Sequence, residues 1–551
     1  MFNEELAKLI SKKFGLDKSE VLNLIEVPPN PDMGDFAFPC FTLAKALKKS
    51  PAQIASENTD FKAKFLREVK AVGPYINFFI KNDEKAKYAI ENELSFKKTN
   101  EKVMIEFSQP NTHKEFHIGH LRNASLGDSL VRLNKFTGKN VISANYIGDI
   151  GTHVAKALWY FKKNYDAKAP EGNKGRFLGK LYVEATKEAE NNPEAKEEIS
   201  KLLQSLESRE PEITKLWEET KEWSMQEFKS IYKELDINFD KWYFESEEDN
   251  PGKEIAKELL EKGIAEKSDG AVIVDLEKEN AKTAIILKSD GTSLYLTKDL
   301  SLAQKKFKEY KLDKSVYVID SRQSLHMKQV FEILKKMGFK KEMIHLPYEF
   351  VGTKKGAFSS RKGNAPLYRD VKEKLVAKLK NETKKRRSDW SDKKIRGTAE
   401  NICVGAFKFG MLKVDNNRTI TFDEKEWLDF EGETGPYIQY TYARIKSILR
   451  KVKTTAKKDY SSLNTREDDE LIKLLLNEKS NISEAVETNK PHLIARFALQ
   501  LSQKTNEYYH KHRVLDAEEN VRNARIKLLE AVSISIKRNL DLIGIKALEE
   551  M

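Results

Sequence analysis

The tightest constraint on this chain is the stretch Val103 to Asn123, VMIEFSQPNTHKEFHIGHLRN. Its apolar start reads as a buried strand, a polar loop follows, and helical spacing runs from about His117 to Thr137 with Gly138 as the stop. NVISANYI then reads as a second strand, so the stretch opens a βαβ unit. Alternation resumes in TAIILK, SLYLT, a helix around Ala303 to Tyr310, SVYVID, a helix from about Leu325 to Met337, and MIHLPYEF. An α/β fold built on a doubly wound parallel sheet accounts for this order. Residues from about 165 to 260 are charged and helix-rich, and are expected to interrupt the sheet as an insertion.

With 551 residues the chain exceeds one ordinary core, so several domains are expected. Residues 1–97 read as a small α+β module with a helix at the start, a turn-rich PPNPDMGDF, a helix from Thr42 to Lys48 and the strand YINFFI. The α/β part then occupies 98–409, and 410–551 show helical spacing with no further strands, as in PYIQYTYARIKSILRK. Lys and Arg number 98 against 86 Asp and Glu, a net charge of +12, which fits a polyanionic partner. Two distant cysteines, Cys40 and Cys403, exclude a disulfide scaffold and imply a reducing compartment. The expected location is cytoplasmic, with no membrane partner, because no apolar run is long enough to cross a bilayer. Without a heptad run the expected state is a monomer.

His117 and His120 are three residues apart and share a face of the first helical turn. Free backbone N–H groups and the positive end of the helix dipole favour phosphate there, and Gly119 leaves room for close approach of an adenine ring. Singly, such residues are ordinary caps and packing glycines; together, after a strand of an α/β sheet, they point to nucleotide binding. The segment HIGH resembles the first signature of class I aminoacyl-tRNA synthetases, and the longer run from Pro110 to His120 is similar to its arginyl version. That resemblance implies a Rossmann-type catalytic domain between a small N-terminal α+β domain and an all-α anticodon-binding bundle. It also implies ATP as a substrate, Mg2+ with its phosphates, and L-arginine and an arginine-specific tRNA as partners. His117 and His120 would stabilise charge on the α-phosphate as arginyl-adenylate forms, before arginine passes to the 2′-hydroxyl of the terminal adenosine.

The second class signature is matched by GTKKGAFSSRKGN. Ser359 stands at its first serine, but Ala357 and Ser360 occupy the two lysine positions, so Ser360, Arg361, Lys362 or Lys355 would serve ATP there. Lys114, just upstream of the helix, stands where arginyl enzymes place a compensating lysine. For the amino acid, a guanidinium needs planar acceptors. By resemblance Glu106, Asn111, Tyr295, Asp299 and Gln323 hold arginine, with Asp299 on the guanidinium. Ser108, Gln109 and Asn111 would lie near the α-amino and carboxylate ends, and His120 would also contact arginine. NYIGDIGTH is similar to a Gly-Asp-x-Gly element of the family, with Tyr146, Ile150 and His153 departing from its usual residues. For tRNA, Tyr437, Tyr440 and Arg444 recur at helical spacing, where aromatic faces and a planar cation suit unpaired bases; a core face with its hydroxyls at the rim would give the same spacing. The family positions of Tyr437, Arg444, Tyr509 and Met551 imply anticodon contacts, and those of Asn77 and Phe79 imply contacts to the tRNA elbow. A catalytically inactive RNA-binding paralogue is the alternative suggested by the altered loop. A small nucleotidyltransferase would leave the C-terminal bundle unexplained.

Overall fold

Five strands lie parallel in the order Glu342–Tyr348, Lys314–Asp320, Lys102–Glu106, Asn140–Ile147, Lys241–Phe244. This computed structural model describes residues 2–353, 356, 357, 365–452 and 459–551 of the chain. The central strands are buried on both faces, as a parallel sheet sandwiched between helices requires. Chain order reverses between Lys102–Glu106 and Lys314–Asp320, and ligands of such sheets bind at that switch point, beyond the strands' carboxyl ends. The loop with His117 leaves one of these two strands, and Gln323 follows the other.

Three sequence expectations are corrected. TAIILK does not join the parallel sheet: Ala284–Leu287 pairs with Ala271–Val274 and Glu266–Ser268 in a separate antiparallel sheet, over a core that includes Leu259, Val274, Ile286 and Leu300. SLYLT is not a strand but leads into the helix Tyr295–Tyr310, because packing of Leu296, Leu300 and Ala303 outweighs the strand preference of the first residues. The stretch from 165 to 260 is not wholly an insertion. After the helices Lys174–Glu190, Pro193–Glu207 and Pro211–Glu234 it supplies the edge strand Lys241–Phe244. Two smaller differences are a short strand, Ile420–Thr421, paired with Val351–Thr353, and a 3₁₀ turn, Cys40–Leu43, followed by a single helical turn, Ala44–Leu47, in place of the continuous helix expected from Thr42 to Lys48.

The chain divides into two compact units. One comprises Met1–Glu93, Ile448–Asn477 and Lys504–Val532. It holds an antiparallel sheet of Phe36–Pro39, Tyr75–Ile80 and Leu66–Val72 over a core including Phe2, Leu6, Ile10, Phe38, Ile54 and Phe78. Within it, buried Lys85 bonds Asp35 at 3.0 Å and Asp469 at 2.6 Å. The second unit, Leu94–Ser447, Glu478–Gln503 and Ser533–Met551, holds the parallel sheet. Its central helix, Ile118–Phe136, is buried along most of its length. Arg122 Nη2 donates to the carbonyls of Asn416 (2.9 Å) and Arg418 (2.8 Å), Ser129 Oγ donates to Leu542 O (2.9 Å), and fully buried Lys408 pairs with Asp128 at 2.8 Å.

Candidate active site

At the switch point a cavity of about 820 Å3 opens. Glu106, Ser108, Gln109, Asn111, His117, Gly119, His120, Tyr295, Asp299 and Gln323 all line it. So do Asn123, Tyr146, Glu245, Lys306, Tyr317, His326 and Tyr348.

His117 is the N-cap of helix Ile118–Phe136, and the two histidines close a reciprocal capping box. His120 N–H donates to His117 Nδ1 at 3.3 Å, and His117 N–H donates to His120 Nδ1 at 3.1 Å. The rings stack with centroids 3.7 Å apart. Gly119 makes this possible, since a Cβ there would meet His117 Cε1 at 2.9 Å. Burial, with Lys114 adding repulsion, lowers His117 to about 4 and holds His120 well below the ordinary imidazole range. Both rings are therefore neutral near pH 7, and with each Nδ1 accepting a backbone N–H the ring proton sits on Nε2. Two neutral Nε2–H donors at a helix N-terminus suit a phosphate whose charge grows during reaction. The helix start is also tied to the chain beyond the second signature: Ile118 N–H donates to Pro366 O at 3.1 Å and Tyr368 N–H to Phe116 O at 3.0 Å.

Before the helix, Ser108, Gln109 and His113 have left-handed backbones at φ 77°, 44° and 61°. Side chains enforce this costly path. Ser108 N–H donates to Asn123 Oδ1 (2.6 Å), Gln109 N–H donates to Asn145 Oδ1 (3.0 Å), and the Ser108 hydroxyl bonds Tyr232 OH at 2.6 Å. Ser108 thus shapes the loop, and its hydroxyl is engaged with Tyr232. Buried His113, between Thr112 and Thr220, is held by desolvation to about 3. Glu106 forms a buried ion pair with Lys306 and accepts from Gln109 Nε2 at 3.1 Å. Its charge is matched inside the protein by Lys306.

On helix Tyr295–Tyr310, Tyr295 and Asp299 lie one turn apart and both reach the cavity. Asp299 Oδ2 accepts from His326 Nε2 at 2.6 Å. Burial, and then the negative charges of Asp299 and Glu245, push the Tyr146 phenol well up. Glu245 itself is raised to about 7 by burial, despite Lys298 Nζ at 3.0 Å. In the Gly-Asp-x-Gly segment, buried Asp149 accepts from Lys221 Nζ (2.6 Å) and from Ser246 N–H (2.9 Å) and Oγ (2.7 Å), which fixes the turn that carries Glu245. His153 Nε2 donates to Gly148 O at 3.2 Å.

Other predicted residues lie elsewhere. Lys114 does not line this cavity; its Nζ lies 5.1 Å from the Tyr182 ring centroid. Lys355, Ser359, Ser360, Arg361 and Lys362 fall outside the described residues, as does the Ala357 side chain. Asn77 is buried and its Nδ2 donates to Met33 O at 2.5 Å, while buried Phe79 has Arg67 and Lys70 each 5.4 Å from its ring centroid. Neither presents the open side chain expected of an RNA contact. Tyr437, Tyr440 and Arg444 are half-buried, with the Arg444 guanidinium 5.0 Å from the Tyr440 ring. Tyr509 is exposed, and the Met551 carbonyl accepts from Arg387 Nε at 2.9 Å.

Comparison with known proteins follows the same division of the chain. Residues 86–423 match the catalytic domain of class I (R) tRNA synthetases, 438–551 a DALR anticodon binding domain, and 1–80 an arginyl tRNA synthetase N terminal domain. An arginine–tRNA ligase of Bdellovibrio bacteriovorus is 40% identical, over 98% of this chain and 96% of its own. One from Clostridium perfringens is 36% identical over the whole of both. The arginyl-tRNA synthetase of Thermus thermophilus superposes with a TM-score of 0.84 at 27% identity, again over the full length of both chains. The chain therefore belongs to the arginyl-tRNA synthetase family, class I enzymes that ligate arginine to tRNA.

Proposed function

We propose that arginyl-adenylate forms in the 820 Å3 cavity, with ATP phosphates against His117 and His120 and the arginine side chain toward Asp299 and Tyr295. The carrying observation is that two neutral, stacked histidines whose Nδ1 atoms are both engaged share one cavity with the carboxylate of Asp299. In this reading the arginine carboxylate attacks the α-phosphorus and pyrophosphate leaves. The two Nε2–H donors stabilise the charge that gathers on the phosphate oxygens. The ribose 2′-hydroxyl of the terminal adenosine then takes the arginyl group and AMP leaves. Gln109, Asn111 and Gln323 supply polar contacts to the bound amino acid, while Ser108 and Glu106 act through the loop and the Lys306 pair.

Among the described residues no cluster of three or more His, Cys, Asp or Glu could cage a metal ion. Mg2+ would arrive with ATP and would offset charge on its phosphates. The chain works as a cytoplasmic monomer, with residues 1–97 serving the tRNA elbow, 98–409 the chemistry and 410–551 the anticodon. Tyr437, Arg444, Tyr509 and Met551 are the residues proposed for anticodon contacts, and Lys114, whose charge acts on both histidines, serves ATP in this reading together with Lys355, Arg361 and Lys362. A charging assay with each amino acid and unfractionated tRNA tests the activity: arginine alone should be esterified. Absence of arginine charging would favour an inactive RNA-binding paralogue.

A further inference from the structure

Asp299 does not face the cavity alone. His326 lies on helix Ser324–Lys336, and its Nε2 is 2.6 Å from Asp299 Oδ2; each side chain is 25% exposed, and both line the cavity. Facing a carboxylate, that nitrogen must donate. Among the described residues no other hydrogen bond to the Asp299 carboxylate is found. A carboxylate on two torsions is otherwise loosely oriented, because its terminal torsion is broad. A guanidinium fork, by contrast, pairs best with a carboxylate held in its own plane.

We infer that His326 is a positioning residue for arginine recognition, its Nε2–H holding the Asp299 carboxylate in the plane of the guanidinium fork. The inference rests on Asp299 being the guanidinium partner. Other groups also act on this pair. Tyr146, Glu245 and Tyr317 all respond to the charge of Asp299. His345, whose Nε2 donates to Ile319 O at 3.1 Å, responds to His326. Lys298 is paired with Glu245 and Lys306 with Glu106, so neither of these cations is bonded to Asp299. An incoming guanidinium therefore meets a carboxylate whose hydrogen-bonded partner is an imidazole.

The test is calorimetric titration of the full chain with L-arginine, beside pyrophosphate exchange with tRNA present for the ATP constant. The comparison covers wild type, His326→Leu, His326→Gln, His326→Ala and Asp299→Asn. His326→Leu should weaken arginine roughly tenfold, with the ATP constant in pyrophosphate exchange unchanged. His326→Gln, which still offers Asp299 an N–H, should recover most of the affinity. Wild-type affinity in His326→Leu would overturn the inference; if that variant does not fold, wild-type affinity in His326→Ala does so. Weak arginine binding by Asp299→Asn beside wild-type binding by His326→Leu would remove His326 and leave the Asp299 reading standing. Wild-type arginine binding by Asp299→Asn would remove both.

Discussion

In the proposed reading His117 and His120 act as neutral donors, because each spends its Nδ1 on the other's backbone N–H while burial penalises the imidazolium. His120→Ala should remove one donor from the developing phosphate charge, a loss on the order of 3 kcal/mol or about a hundredfold in rate. Arginine-dependent ATP–pyrophosphate exchange with tRNA present measures it, and tRNA affinity should stay nearly constant. A second consequence concerns pH. With its pKa lowered from 6.5 to about 4, His117 resists protonation in the folded state and takes it up when unfolded. It therefore contributes stability that is present above pH 6.5 and lost as pH falls toward 4. Imidazole nitrogen chemical shifts across that range should show His117 neutral, protonated at Nε2, down to about pH 5; an imidazolium signal at pH 6 would contradict the burial argument. Much at this scale was legible in the sequence because the two histidines of the capping box are only three residues apart. The partners of the pocket carboxylates were not. Lys306 is 200 residues from Glu106 and His326 is 27 from Asp299, and no local spacing announces such pairs.

Gly127 shows what holds helix Ile118–Phe136 against the site loop. A Cβ there would fall 2.0 Å from Phe107 Cγ, so the helix closes on the end of the first sheet strand only without a side chain. In an exposed helix Gly→Ala stabilises by about 1 kcal/mol. Here Gly127→Ala should instead destabilise by about 2 kcal/mol or more, through overpacking that neither ring nor helix can relieve cheaply. Thermal melting decides the sign, and adenylate formation should fall with it as the histidines move. The same scale explains the misread elements. Lys241–Phe244 is four residues long at the end of a charged helical stretch, too short for period-two alternation to register. Leu294 to Thr297 carry strand-favouring residues, yet three of the helix's apolar residues pack into the core beneath the antiparallel sheet. Ala284–Leu287 has strand composition and is a strand, but composition does not say which sheet it joins.

For the molecule as a whole, the family assignment and the parallel sheet were readable from motif order, since the two strands flanking the switch point carry the residues that converge. The three-part division read from composition is a different description from the two compact units, because four C-terminal helices contribute residues to both. In the proposed reading one cavity takes the phosphates at the His117 and His120 end and the guanidinium at the Asp299 end. The most direct test is arginine titration of tRNA charging by wild type and Asp299→Asn, with thermal melting as a folding control. Asn keeps the size of Asp but turns an amide donor toward guanidinium donors, so the apparent arginine constant should rise by about 2 to 4 kcal/mol. The ATP constant and tRNA affinity should change little. A folded Asp299→Asn enzyme with the wild-type arginine constant would contradict the account.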